Sequence, residues 1–292
     1  MKLKISASIV SFAKRAKETW GLEDWLGITD PDKDLLFFGL YNDRDWAVFD
    51  TFGGNPFVLW AGTDILQLLS DYERKRILKN HPEAKHYCEN ELEATELRGL
   101  GLEVEVIPSF LDNINNYPIT YKHTKTPHIY IAGKNEREEE YGLGVVRRIA
   151  DRVPDATFHV YGIDKNSSYF TSVPSGLDKL VDIDSDHPNV WYHGKVEEGQ
   201  FNNEITQYQC GLRTNEHDGF SEITAKSLLM GQYPINKIPY EKVWSYTTDD
   251  ELVALIEKLK FMTEPNLEAR SHYIKKFNNY PWCPRKYHES NK

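Results

Sequence analysis

Hydrophobic and polar positions alternate along the chain in two rhythms. Short apolar runs of strand length occur at 3–10 (LKISASIV), 34–41 (DLLFFGLY), 56–62 (PFVLWAG), 85–89 (KHYCE) and 103–110 (EVEVIPSF). Stretches with helical spacing stand between them at 16–26 (AKETWGLEDWL), 64–80 (DILQLLSDYERKRILKN) and 90–101 (NELEATELRGLG), and 46–52 (WAVFDTF) is a further short apolar run. Strands that alternate with helices predict βαβ units and a parallel sheet.

The rhythm fades over 111–127 (LDNINNYPITYKHTKTP), which is polar, contains two prolines and reads as a linker. It then restarts. Strands are predicted at 128–133 (HIYIAG), 157–162 (TFHVYG), 189–196 (NVWYHGKV), 210–214 (CGLRT) and 233–237 (YPINK). Helices are predicted at 142–153 (GLGVVRRIADRV), 197–208 (EEGQFNNEITQY), 220–230 (FSEITAKSLLM) and 248–262 (TDDELVALIEKLKFM). A polar helical stretch and an aromatic tail, YPWCPRKY, follow. The expected fold class is therefore α/β, with two Rossmann-like doubly wound parallel-sheet domains facing across a cleft. The first domain is expected over 1–122 and the second over 123–270, with a tail at 271–292 packing back on the first. Ligands of such sheets sit beyond the carboxyl ends of the strands.

Composition narrows the picture. The 292 residues are 40% apolar and 27% charged, as in globular domains, and carry a net charge of −10, which argues against a broad nucleic-acid footprint. Cys88, Cys210 and Cys283 are far apart and form no Cys-x-x-Cys pair, so they read as thiols of a reducing, cytoplasmic compartment. No run approaches membrane-span length, which leaves at most a peripheral membrane contact.

Chemistry concentrates in 213–235, RTNEHDGFSEITAKSLLMGQYPI. Arg213 closes a predicted strand, Asn215 to Gly219 form a polar loop, Ser221 is placed to cap the next helix, and Gly231 to end it. Free N–H groups at a helix start favour a phosphate, whereas the Asp218 carboxylate suits sugar hydroxyls. The spacing alone fits equally an ordinary loop and helix in which Ser221 caps and Asp218 supports the turn.

The order Asp218-Gly219-Phe220-Ser221, helix, Met230-Gly231-Gln232-Tyr233-Pro234-Ile235 resembles the retaining glycosyltransferases of the GT-B fold, glycosyltransferase family 4 in particular, including the variant that opens with His217-Asp218-Gly219. The resemblance covers most of the chain and is strongest from His128 to Ile235. It implies transfer of a sugar from a UDP- or GDP-linked donor to a hydroxyl of a glycan, lipid-linked or small-molecule acceptor, with retention; since no Asp-x-Asp stands in a convincing site, no metal or other cofactor is expected. Asp218 would contact the donor sugar, and the amides of Gly219, Phe220 and Ser221 would hold the sugar and diphosphate. Gly133 and Lys134 stand where the family has Val-Gly-Arg, so Lys134 would clamp the diphosphate, and Gly162 and Gly194 would line the base pocket. Arg213 would help stabilise the leaving group.

Three departures mark this chain. The family's second acidic residue, which holds the ribose, falls at Lys226; a Lys cannot accept hydrogen bonds, so it would meet a phosphate, or Glu222 would take the ribose. Tyr141-Gly142 replaces a Lys-Gly pair, and Arg137 beside Glu136 and Glu138 reads as a solvated charge. Ser11-Phe12-Ala13 stands in place of a Gly-rich loop, and Ser109-Phe110 in place of Asn-Gly.

In the first half Gly62, Thr63 and Asp64 face the expected acceptor. Asp64 either binds or deprotonates the acceptor hydroxyl, caps the following helix, or does both. Asp182-Ile-Asp184 lies in a polar loop and reads as solvated. A nucleotide-sugar epimerase of the same fold, or a sugar-nucleotide or glycan-binding protein that has lost catalysis, are the alternatives.

Overall fold

The computed structural model describes residues 1–27, 32–164 and 187–283; the Asp182-Asp184 pair lies outside them. Within these residues the chain forms two compact units. One comprises Met1–Asn116, the segment His217–Phe220 and the chain from His272; the other comprises Tyr117–Glu216 and Ser221–Ser271.

The first unit contains β1 (Lys2–Ile5), α1 (Ala13–Trp20), β2 (Glu23–Asp24), β3 (Asp34–Phe38), α2 (Asp43–Thr51), β4 (Asn55–Leu59), α3 (Thr63–Ser70), α4 (Tyr72–Lys79), β5 (Lys85–Cys88), α5 (Glu91–Gly99) and β6 (Val104–Val106). All its strand pairs are parallel, in the order β2-β1-β3-β4-β5-β6. Leu35, Phe37, Val58 and Trp60 meet Trp46 and Phe49 of α2, Ile65 and Leu68 of α3, and Leu97 of α5 on one face. Leu3, Leu36, Phe38 and Leu59 meet Ala16 and Trp20 of α1, together with Tyr280 and Trp282 of the chain end, on the other. The strand order reverses between β1 and β3, the usual ligand position of such a sheet. Here the protein's own Asp45 fills that corner. It is buried at the start of α2, accepts from Ser6 Oγ (2.5 Å) and the amides of Tyr41 and Asn42 (3.2 and 3.3 Å), and pairs with Lys4 (2.6 Å).

Several local expectations change. The strand predicted to run to 10 ends at Ile5, because Ser6 accepts from Ser8 N (3.3 Å) and turns the chain into 3-10 turns over Ala7–Phe12. The apolar run 46–52 belongs to helix α2, which Asn42 and Asp45 start with a reciprocal capping box. The single helix expected over 64–80 breaks at Asp71, which leaves helical geometry and caps α4 through Arg74 N (3.1 Å).

The second unit contains β7 (His128–Ala132), α6 (Leu143–Ala150), β8 (Thr157–Tyr161), β9 (Val190–Gly194), α7 (Glu198–Glu204), β10 (Cys210–Arg213), α8 (Glu222–Leu229), β11 (Ile235–Asn236), β12 (Trp244–Ser245) and α9 (Asp249–Leu259); α10 (Leu267–Phe277) starts here and ends in the first unit. Its sheet is parallel, ordered β12-β11-β10-β7-β8-β9, the 3-2-1-4-5-6 order of dinucleotide-binding sheets. Ile129, Ile131 and Phe158 pack on Val146 and Ile149 of α6 and on Leu252 and Ile256 of α9. Both units are thus doubly wound α/β sheets. No described helix is long and apolar enough to cross a membrane.

Candidate functional site

In the second unit the strand order reverses between β7 and β10, and chain leaving their carboxyl ends diverges there. Gly133, Gly162 and Gly194 close the neighbouring strands β7, β8 and β9. Gly133 N donates to Tyr161 O (2.9 Å) and Gly162 N to Gly194 O (2.7 Å). A Cβ on Gly162, whose φ is +74°, would lie 2.2 Å from the Gly133 carbonyl oxygen, so only glycine fits. The result is a rim of bare backbone. Lys134 stands on it, exposed and with no ion pair to any described residue. Asn135 and Asp164 brace it by exchanging two hydrogen bonds (2.7 and 2.9 Å). Arg213, at the end of β10, lies 4.9 Å from the centre of the Tyr141 ring, and Arg137 pairs with Glu140 (Nε to Oε2, 2.6 Å). Tyr141, where a basic contact is missing, therefore carries two guanidinium groups on its ring, since Arg137 also stacks at 5.4 Å.

Helix α8 leaves β10 on this side. Gly211 lets it pack closely: a Cβ there would lie 2.7 Å from Ile223 Cγ2, and Gly211 N donates to Ser227 Oγ (3.1 Å). Ser221 occupies the N-cap position in an extended conformation, but its side chain makes no capping bond, contrary to the expectation. Lys226 is only 3% exposed. Its ammonium donates to Asn202 Oδ1 (2.8 Å), pairs with Glu222 (2.8 Å) and Glu198 (3.5 Å), and lies 5.5 Å and 5.7 Å from the Phe201 and Tyr117 ring centres. The lysine at the family's acidic position is thus neutralised by Glu222, the very carboxylate expected to take the ribose in its place.

The segment His217–Phe220 is fastened within the first unit, to β5 and α5. His217 Nε2 meets Glu96 Oε2 at 2.9 Å, Asn90 Nδ2 donates to Asp218 O at 2.8 Å, and Phe220 N donates to Glu89 Oε2 at 2.8 Å. The Phe220 amide, expected on the diphosphate, is taken here by a carboxyl group of the protein itself. The Phe220 ring stacks on Tyr273 at 5.1 Å. Glycine is required at two positions: a Cβ on Gly219 would lie 1.9 Å from Glu89 Oε2, and one on Gly62, whose φ is +99°, would lie 3.0 Å from Gly219 N.

Glu89, Glu93 and Asp64 form an acidic group beside this segment. Burial raises Glu89 to about 8, with the Asp218 charge acting in the same direction; Glu93 is raised well above the carboxylate range, and burial raises Asp64 to about 6. Asp64 is wholly buried and accepts from the amides of Leu40, Ala61 and Ile65 at 3.2, 3.1 and 3.1 Å. Asp64 lies inside α3, not at its N-cap, and its carboxyl ties the ends of two strands to the first turn of the helix. Gly62 and Thr63 start α3 with no side-chain cap.

Sequence reasoning missed Glu89, Asn90 and Glu96, and marked Ser109 only as a departure from an Asn-Gly pair. Only Asn90 left a signal, as a helix-capping residue before Glu91. It also missed a polar face on the second sheet, where His128 Nδ1 meets His159 Nε2 (2.9 Å) and His159 Nδ1 meets His193 Nε2 (3.0 Å). No group of three or more His, Cys, Asp or Glu among the described residues is arranged to hold a metal.

These two doubly wound sheets define a GT-B fold. No protein-family model and no curated protein matches the sequence. Solved structures match it in fold. The chain is similar to the lipopolysaccharide outer core galactosyltransferase WaaB in its apo form, with a TM-score of 0.60 and 12% identity, covering 97% of this chain and 79% of that one. It is similar to a mutant of S. aureus TarM in complex with fondaparinux, alpha-GlcNAc-glycerol and UDP, with a TM-score of 0.56 and 12% identity, over 84% of this chain and 52% of that one. It is also similar to Anabaena HepE in complex with UDP and glucose, with a TM-score of 0.51 and 10% identity, over 90% and 80% of the two chains. The chain spans about half the length of TarM.

Proposed function

We propose that the chain is a glycosyltransferase that moves a sugar from a nucleotide-diphosphate donor to an acceptor hydroxyl with retention of anomeric configuration and without a metal. The observation that supports this most is the reversal point of the second sheet. There a rim of three glycines admits a flat base to the backbone, Lys134 stands exposed beside it, and the start of α8 is left uncapped by Ser221. Charge that develops on the departing diphosphate would be met by Lys134, by Arg213 on the Tyr141 ring and by the first amides of α8. Asp218 would accept from donor-sugar hydroxyls. UDP is the first donor nucleotide to test, because UDP occupies the TarM and HepE structures named above. Asp64 would act through the main-chain amides it holds rather than on the acceptor proton.

A second reading, a sugar-nucleotide reader without turnover, draws support from Lys226, whose ion pair with Glu222 occupies the expected ribose carboxylate. Incubation with UDP-glucose, UDP-GlcNAc, UDP-galactose and GDP-mannose separates the readings. Nucleotide release that depends on an acceptor, with an NMR-assigned product of retained configuration, fits transfer. An isomerised sugar fits an epimerase, and binding without release fits the reader.

A further inference from the structure

The turn that carries Asp218 is held by its main chain from outside its own helix. Within the first unit, Asn90 takes the Asp218 carbonyl, Glu89 takes the Phe220 amide, and Glu96 takes the His217 ring. The Glu89 carboxyl is itself fixed. It is 6% exposed, bonded to the Ser109 hydroxyl, and its own amide donates to Glu93 Oε2 at 2.8 Å. Its contact with Gly219 leaves no room for a side chain there, so the glycine beside Asp218 is explained by Glu89.

We propose that Glu89 is a positioning residue for Asp218: by holding the Phe220 amide it fixes the turn that carries Asp218 and withdraws that amide from phosphate binding. This rests on the glycosyl-transfer reading of Asp218. The amides left for phosphate are then those at the start of α8, two residues further on. The Ser109 hydroxyl and the Phe220 N–H both donate to the Glu89 carboxyl, contacts that favour its ionised form, so the turn stays held whether or not Glu89 is protonated.

The test compares the full chain with Glu89→Gln, Glu89→Ala and Ser109→Ala. Amide exchange at Phe220 is read without ligand, and nucleotide release is followed with the donor and acceptor that the donor screen above identifies. Glu89→Ala should speed exchange at Phe220 by about tenfold or more, and lower kcat by about 10–100-fold with KM within about twofold. Ser109→Ala should act in the same direction and less strongly. Glu89→Gln keeps a carbonyl acceptor for the Phe220 N–H and should rescue both protection and kcat. Unchanged exchange at Phe220 in Glu89→Ala overturns the proposal, and so does a lower KM, which would mean that the freed amide binds phosphate. Failure of Glu89→Gln to keep the Phe220 amide protected overturns it too, and that variant serves even if Glu89→Ala does not fold. If no donor of the screen yields nucleotide release with any protein, wild type included, while the exchange pattern holds, the transfer reading fails and the holding of the turn by Glu89 stands.

Discussion

Replacing His159 by Gln should flatten the loss of stability that this protein suffers in acid. His159 is 4% exposed on β8, flanked by His128 and His193 at 2.9 and 3.0 Å, and covered by the stacked Tyr208 ring at 4.2 Å. Burial, with the neighbouring imidazoles adding to it, pushes its pKa down to about 3. The folded state therefore keeps the ring neutral, while the unfolded chain takes up a proton near pH 6.5. The stability linked to this ring is complete above pH 6.5 and is lost progressively as pH falls from there toward 3. Each unit of pH in that window costs about 1.4 kcal/mol, so the fall from 6.5 to 5 costs about 2 kcal/mol. His128 and His193 are lowered in the same direction by burial and steepen the decline. Two kcal/mol corresponds to a drop in melting temperature of about 4–8 °C for a domain of this size. Urea unfolding at pH 7 and 5, followed by circular dichroism, measures it. His86 of the first unit, pushed down to about 4 by burial, contributes equally to wild type and variant, so the difference between them isolates the array. Equal acid slopes in His159→Gln and wild type would refute the reasoning.

Lys226→Met should destabilise the second unit by about 2–3 kcal/mol, less than for a fully buried pair because Glu222 is partly exposed, and Glu222→Gln on that background should recover part of the loss in a double-mutant cycle. Asp218→Asn should lower UDP release from a productive donor by about 100-fold or more while the melting temperature stays within about 2 °C, since the carboxylate rather than the fastened main chain changes. Gly62→Ala should cost about 1–3 kcal/mol of stability, read from urea midpoints, because the position combines a φ of +99° with a 3.0 Å approach to Gly219 N.

The two sheets were legible because parallel strands buried on both faces read as apolar runs, and the intervening helices kept their own period. What escaped was short or local. β2 and β12 have two residues each, too few for any rhythm. The break at Asp71 depends on one capping bond inside a continuous helical pattern. At the site, the glycines at 133, 162 and 194 could be placed because strand ends announce themselves, and the structure sets them on one rim. The partners of the Asp218 turn could not, since Glu89 lies 131 positions from Phe220 in the chain and only folding joins them. Lys226 shows the same limit: sequence exposed the substitution, but not the carboxylates of Glu222 and Glu198 that receive it.

A crystal structure of the chain soaked with UDP is the most direct measurement. The uracil should lie along the backbone of Gly162 and Gly194, and the diphosphate between Lys134 and the first amides of α8, with the Phe220 amide still on Glu89. UDP bound away from that rim, or no bound UDP at millimolar concentration in crystals where the rim is open to solvent, would contradict a nucleotide-sugar site at the reversal point of the second sheet.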